Sequence, residues 1–146
     1  MQSTCGLRAR IVLCFLIVVS ASLCTAKDGR DFAGFYSVDQ ANQQDGLVQL
    51  KFSLRVYNYS ANDIKQAYVA LREPGPGLSV RANFHPVKSW RMQRDVKLSA
   101  QVVITEQEYQ GWQNGEPPNI VVRYPDANGR WWEHTVELSM RPPGGF

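Results

Sequence analysis

Apolar and polar residues alternate along three long stretches of this chain. In the first, from Val48 to Val56, five apolar residues at every second position are separated by four polar ones. The second stretch runs from Val96 to Ile104, and the third from Trp132 to Met140. Because successive side chains of an extended chain point to opposite faces, this pattern predicts β-strands with one buried face and one solvated face.

Shorter apolar runs bring the predicted total to about seven strands. They cover Phe32–Val38, Ile64–Leu71, Leu78–Phe84 and Asn119–Tyr124. Turn-forming residues fill the intervals between strands, and the segment from Asp126 to Gly129 predicts a hairpin, since Asn-Gly readily adopts positive φ. These features predict an all-β domain of two antiparallel sheets packed face to face.

One segment breaks the alternation. Thr105 and Glu108 have the spacing of a capping box, in which Thr105 caps a helix and the Glu108 side chain reaches back to the cap. Tyr109 and Trp112 then fall on one side of a short helical turn that ends at Asn114. We expect this turn to cross between the sheets and the two aromatic residues to fill one end of the sandwich.

The run from Phe52 to Ser60, followed by Ile64 and then Tyr68 to Leu71, resembles the first hairpin of bacterial exported immunoglobulin-like or fibronectin-type-III-like modules. The resemblance implies an immunoglobulin-like sandwich of about seven antiparallel strands, and it implies no activity. Paired cysteines between the sheets, as found in antibody domains, are missing from this run. Phe52 and Tyr68 stand where a central tryptophan is often found.

The first 26 residues have the features of an export signal. Arg8 and Arg10 precede an apolar run from Ile11 to Leu23, which is shorter than the roughly 20 residues that span a bilayer. Small residues before Lys27 predict cleavage near Ala26, a β-sandwich domain over residues 27–140 and a flexible tail over 141–146. Acylation of Cys24 and retention of the run as an anchor are alternatives that the sequence favours less.

The charge and cysteine content of the exported part narrow the possible functions. Two of the 16 Lys and Arg residues lie in the signal, whereas all 13 Asp and Glu residues follow it, which leaves a net charge of +1. This near-neutral balance and the export signal argue against nucleic acid as a partner. All three cysteines precede Lys27, so thiol chemistry and cysteine-based metal sites are not expected.

No residue pattern of a known catalytic motif occurs in the chain, and we predict a protein that is not an enzyme and needs no cofactor or metal. His134 falls on the apolar face of the last predicted strand, and His85 precedes a proline. A catalytic role for either histidine is the alternative. The segment from Asp39 to Asp45 offers oxygen atoms without the spacing of a calcium site, and it is interpreted as a solvated loop.

Adjacent tryptophans on the last predicted strand are the first candidate site. Trp132 shares its face with Val136 and Leu138 and is expected in the core, which leaves Trp131 on the outer face. An exposed tryptophan can stack on a sugar ring or anchor a protein interface, or it can form a cation–π pair with Arg123 or Arg130. Trp112 is a further candidate, although filling the end of the sandwich is its favoured role.

Positive charge recurs between residues 88 and 97. Lys88, Arg91, Arg94 and Lys97 follow one another at intervals of three residues. They predict either a basic patch for an acidic partner or a solvated strand edge whose charge discourages pairing with another chain. Asn58-Tyr59-Ser60 is also a glycosylation sequon, expected to lie accessible in a turn.

These features predict a non-enzymatic exported β-sandwich that serves as a binding or structural module at the cell envelope or outside it, with a protein or a glycan as its partner. A carbohydrate-binding module that uses exposed tryptophans is one alternative. The other is a periplasmic assembly factor that acts through an open strand edge.

Overall fold

The first two alternating stretches form long strands where the sequence predicts them. The computed structural model describes residues 31–75 and 79–142, and the predicted signal and the last four residues of the predicted tail lie outside this part. Within it the chain is mostly β-structure, with nine strands and one helix. Their bounds are β1 Phe32–Gln44, β2 Leu47–Asn58, β3 Ile64–Arg72, β4 Val80–Asn83, β5 Val87–Trp90, β6 Asp95–Thr105, α1 Glu106–Gln113, β7 Ile120–Pro125, β8 Trp131–Thr135 and β9 Glu137–Met140.

The first sheet has the strand order β6-β2-β1-β9. β1 and β2 form a long hairpin that turns at Asp45 and Gly46, both with positive φ (52° and 76°). The predicted loop from Asp39 to Asp45 is therefore mostly strand, which corrects that expectation. Its Asp39 carboxylate accepts hydrogen bonds from the Ser37 and Ser53 hydroxyl groups.

The third alternating stretch is divided between the two sheets, which corrects the prediction of a single last strand. β8 belongs to the second sheet, whereas β9 pairs with β1 in the first. The chain crosses at Val136, which is buried and donates its backbone N–H to the Ile120 carbonyl at 2.8 Å. The β1–β9 pairing is parallel, so the sheets are not purely antiparallel as predicted.

The second sheet has the order β4-β3-β7-β8, and β5 also pairs with β3. β4 is shorter than the predicted Leu78–Phe84 strand, and β5 was not predicted. β7 and β8 form the predicted hairpin, in which the Asp126 N–H donates to the Arg130 carbonyl at 2.8 Å and Gly129 has φ of 78°.

The inner faces of both sheets form one cluster of buried side chains. Phe52, in the middle of β2, lies at its centre, with ring centroids 5.8 Å from Tyr36, 6.2 Å from Phe84 and 5.4 Å from Trp112. These aromatic residues come from β1, α1 and the segment after β4. Both sheets therefore share a single core.

α1 closes one end of this core. The Glu108 N–H donates to Thr105 Oγ1 at 3.2 Å, which confirms Thr105 as the helix cap. The Glu108 carboxylate does not reach back as predicted, because it accepts two hydrogen bonds from Arg81 at 2.7 and 2.6 Å. Arg81 also pairs with Glu73 and lowers the pKa of that carboxyl group. These ion pairs join α1 to β4 and to the end of β3.

Asn58 belongs to the interior rather than to an accessible turn, which corrects the expectation for the sequon. Its side chain is fully buried, its Nδ2 donates to the Asn62 carbonyl at 3.1 Å, and its Oδ1 accepts from the Ser60 hydroxyl at 2.6 Å. The amide nitrogen that a glycan would modify is thus enclosed in the folded domain.

Because Tyr36 is buried, the stability of the folded domain depends on pH in the alkaline range. Burial raises the pKa of Tyr36 above its usual value of 10, and its hydroxyl donates to the Trp112 carbonyl at 2.7 Å. The phenol ionises near pH 10 in the unfolded chain, whereas its ionisation in the folded chain requires a higher pH. The stability that the protonated phenol contributes is therefore complete below pH 10 and is lost as pH rises through the folded pKa.

We expect Tyr36→Phe to lower the free energy of unfolding by about 1 kcal/mol at about pH 8, because the hydrogen bond from the Tyr36 hydroxyl to the Trp112 carbonyl is lost. Above pH 10 the difference between wild type and variant should shrink. Urea denaturation at both pH values measures this difference. A difference in unfolding free energy between wild type and Tyr36→Phe that does not change with pH would contradict the raised pKa of Tyr36.

Candidate functional site

The predicted site residues fall into three separate places. Trp131 lies on the outer face of the second sheet and Trp112 lies in the core. The four basic residues surround the end of the molecule at which β5 is followed by β6. The sequence predicted these residues individually, and the structure does not gather them into one site.

Trp131 is joined by Tyr68, and we call these two residues the aromatic platform. Tyr68 pairs in register with Arg123 on β7, and Trp131 pairs with Pro125 two residues further along β7. This pairing places both rings on the outer face, with centroids 5.8 Å apart and planes inclined by 43°. Their exposed fractions are 38 % for Tyr68 and 53 % for Trp131, so both rings are open to a ligand.

Polar groups frame the platform. The Arg123 guanidinium lies 5.8 Å from the Trp131 ring, and its Nε is 3.2 Å from Glu133. Glu133 also pairs with Arg72, and Gln66 Nε2 donates to the Tyr68 hydroxyl. Donors and acceptors therefore border two flat apolar surfaces.

Trp132 is not a core residue, which corrects the sequence prediction. It shares the inward orientation of His134, but it lies at the end of the sheet and 41 % of it is exposed. The Arg130 guanidinium lies 4.8 Å from its ring. Its Nε1–H donates to Asp126 at 3.1 Å, and this hydrogen bond is the main reason that the pKa of Asp126 is lowered.

His134 is half-buried in an aromatic cluster. Its ring is stacked on Tyr124 with centroids 5.7 Å apart, and it meets the edge of Phe32 at 5.5 Å. Nδ1 lies 3.4 Å from an Asp31 oxygen, and Nε2 lies 3.4 Å from the Tyr124 hydroxyl. Burial, and then the charge of Asp31, raise the pKa of Tyr124 above its usual value.

The basic residues lie at one end of the sandwich but not on one face. Arg91 and Arg94 flank a tight turn, in which the Arg94 N–H donates to the Arg91 carbonyl at 3.3 Å. Lys88 lies on β5 of the second sheet, and Lys97 lies on β6 of the first. Their neighbours Val87 and Val96 point inward, so the two lysines project from opposite outer faces. The single loop patch expected from the sequence is thus a basic rim around an end.

Trp112 is only 4 % exposed and packs against Phe52 and Tyr36. It is therefore part of the core and is not available to a ligand in the folded domain, as the end-filling interpretation expects.

Two small pockets occur among the described residues. One of about 140 Å³ lies between Arg72, Glu108 and Trp112, and one of about 240 Å³ lies between Leu47 and Val103. Both are smaller than the roughly 300 Å³ at which small-molecule sites begin. In the described part of the chain, no three His, Cys, Asp or Glu side chains are grouped to hold a metal ion, and no helix is long and apolar enough to cross a membrane.

The sequence interpretation names Arg123 as a cation–π partner of Trp131, as observed, but it does not name Tyr68 as a site residue. Tyr68 precedes the inward-facing Val69, and Arg123 follows the inward-facing Val122, so period two assigns both to the outer face. Tyr68 is therefore not the counterpart of a central core tryptophan. Its contact with Trp131 depends on strand register, which the sequence does not state.

Neither a protein-family model nor a curated protein matches the chain. Among solved structures, the GH20 exo β-N-acetylglucosaminidase from Vibrio harveyi in complex with N-acetylglucosamine is similar with a TM-score of 0.44 and 9 % identity, over 80 % of this chain and 19 % of that one. An inactive mutant of the same enzyme gives a TM-score of 0.44 and 9 % identity, over 75 % and 18 %. The chain thus spans about a fifth of these proteins, and likeness at this level carries no argument about function.

Proposed function

We propose that this chain is an exported, non-enzymatic binding module with an immunoglobulin-like fold, and that its ligand is bound on the aromatic platform. The observation that carries the proposal is the pair of exposed rings of Tyr68 and Trp131, 5.8 Å apart on a sheet face. Large aromatic side chains supply much of the binding energy at protein surfaces.

The strand order supports the immunoglobulin-like assignment. In constant-type immunoglobulin domains the first, second and fifth strands share one sheet, and the third, sixth and seventh share the other. β1, β2 and β6 follow the first grouping here, and β3, β7 and β8 follow the second. β4 and β5 then extend the second sheet beside β3, much as the added strands of variable-type domains do.

A glycan is the ligand class that the polar frame favours. Sugar rings present apolar faces that stack on aromatic side chains and hydroxyl groups that need donors and acceptors at the rim. Arg123, Glu133 and Gln66 supply such groups beside the rings.

We expect Trp131→Ala and Tyr68→Ala each to weaken retention on an insoluble polysaccharide by about thirtyfold, as removal of a binding hot spot of about 2 kcal/mol does. Cellulose, chitin and peptidoglycan are the probes, and pull-down isotherms measure the affinity. Both variants should keep the wild-type melting temperature, because exposed positions tolerate substitution within about 0.5 kcal/mol.

Trp132→Ala is the matched control, because it removes an exposed tryptophan of the same strand from the opposite face. Retention should persist in this variant. Retention on none of the three polysaccharides, or retention that Trp131→Ala leaves unchanged, would reject the glycan proposal.

A second candidate function is suggested by the edge of the first sheet. β6 spans eleven residues and pairs with β2 on one side. Its inward-facing Val96, Leu98 and Ala100 are only partly buried. A partner strand added to β6 would cover them. In that case Trp131→Ala would leave partner binding intact.

A further inference from the structure

The end of the sandwich that carries the basic rim exposes apolar groups as well as charge. Met92, at the tip of the β5–β6 turn, is 51 % exposed and lies between Arg91 and Arg94 in sequence. Tyr59, in the loop between β2 and β3, is 52 % exposed and is stacked on Tyr57 with centroids 5.8 Å apart. We call the tip residue Met92, together with Lys88, Arg91, Arg94 and Lys97, the basic end.

The turn is held rigidly in place. The Met92 N–H donates to Asp63 at 2.8 Å, and the Gln93 N–H donates to the Asn58 carbonyl at 2.7 Å. The Arg94 carbonyl accepts from the Asn58 N–H at 3.0 Å and from Trp90 Nε1 at 2.9 Å. The backbone that presents Met92 is thus ordered before any partner arrives, which lowers the entropy cost of binding.

The cations of this end outnumber the carboxylates that can offset them. None of the four basic residues forms an ion pair within the described part of the chain. At the same end, Asp95 pairs with Arg55 at 2.7 Å and Asp126 lies beside Arg130, so each of these two carboxylates has a cation outside the set of four. Asp31 contacts His134 and Asp63 accepts from the turn, so these two carboxylates offset two of the four cations. The Arg55 hydrogen bond lowers the pKa of Asp95. The four cations therefore exceed the Asp31 and Asp63 carboxylates by two charges (4 − 2), and all four cations are exposed to solvent.

We propose that the basic end docks on the headgroups of an anionic lipid bilayer. Lys88 and Lys97 project from opposite outer faces, on either side of the apolar tip. A flat surface approached end-on meets both lysines, whereas a single soluble polyanion strand lying on one face meets one of them. Met92 at the tip, and Tyr59 in the adjoining β2–β3 loop, suit the boundary between headgroups and acyl chains. This inference is independent of the ligand of the aromatic platform.

Vesicle sedimentation tests the proposal. The exported form of the chain, with its N-terminus determined by mass spectrometry, is mixed with vesicles of phosphatidylcholine containing phosphatidylglycerol or of phosphatidylcholine alone. We expect binding to the first and little to the second, weakening as salt is raised. The double variant Arg91→Gln, Arg94→Gln should bind about thirtyfold more weakly, since each cation near an anionic bilayer contributes about fivefold.

Matched variants keep the test decisive. Lys51→Gln removes an exposed cation from the outer face of the first sheet, in the middle of β2, and should bind like wild type. If the double arginine variant fails to fold, Lys88→Gln with Lys97→Gln should show a similar loss, because both lie on solvated strand faces. Met92→Ser should weaken binding several-fold without changing the salt dependence.

Three results would overturn the proposal. The first is equal binding to both vesicle compositions. The second is wild-type binding by both double variants. The third is tight binding to dextran sulfate without binding to vesicles, which would assign the surface to a soluble polyanion.

Discussion

Gly34→Ala is expected to destabilise the domain by about 3 kcal/mol or more, the upper range for overpacking a close-packed interior. Gly34 lies on β1, between Val56 of β2 and Leu138 of β9. A Cβ atom added at this position would lie 2.0 Å from the Arg55 carbonyl oxygen and 3.0 Å from the Val56 Cα. Both obstacles are backbone atoms of a central strand pair, so relief of the clash requires displacement of the β1–β2 ladder.

Gly111→Ala is the matched control, because the same atom is added at a second crowded glycine. There the new Cβ would lie 2.8 Å from a carboxylate oxygen of Glu116, the far end of a flexible side chain. Rotation of Glu116 relieves the contact, and alanine is favoured over glycine in a helix by about 1 kcal/mol. We expect stability to be unchanged or slightly increased.

Urea denaturation of both variants measures these effects. The Gly34→Ala midpoint should fall well below that of wild type, whereas the Gly111→Ala midpoint should not. Equal midpoints for the two variants would show that β1 is not held between β2 and β9 as described.

The predictable part of the fold is the part fixed by local pattern. β2 and β6 appear where alternation places them, because a residue that faces a shared core must be apolar at every second position. The hairpin at Asp126–Gly129 and the cap at Thr105 depend on the chemistry of a few neighbouring residues. Both are therefore visible without knowledge of the rest of the molecule.

Features that depend on partners distant in sequence were missed. Alternation continues through Val136, yet the chain leaves one sheet there and enters the other, since only the pairing with β7 and β1 decides where β8 ends and β9 begins. β5 is four residues long, too short for a periodic signal. The parallel β1–β9 pair joins the two ends of the domain, and no local pattern records it.

In the candidate site, too, the locally determined features were predicted and those that depend on distant strands were not. Period two assigned Trp131 to the outer face, and its exposure agrees with that orientation. Periodicity reports which way a side chain points but not how far the opposite sheet extends, so Trp132 was expected in the core although it lies beyond the edge of the core. The four cations were found as a run of charge, but the change of sheet between β5 and β6 separates Lys88 from Lys97.

Trp112→Ala should cost about 3 to 5 kcal/mol, the usual range when a large aromatic residue is removed from a core. Its ring packs 5.4 Å from Phe52 and 6.4 Å from Tyr36, and these contacts join α1 to both strands of the β1–β2 hairpin. The substitution would leave a cavity between the helix and the first sheet, beside Phe52 and Tyr36. Thermal and urea unfolding measure the loss.

Two comparisons separate a core role from a ligand role for Trp112. Trp112→Phe should recover much of the lost stability, because a smaller ring still reaches Phe52. Trp131→Ala removes a tryptophan that is 53 % exposed and should change stability by about 0.5 kcal/mol or less. A Trp112→Ala variant that keeps the wild-type melting temperature but no longer binds a polysaccharide would instead mean that this ring leaves the core to contact ligand.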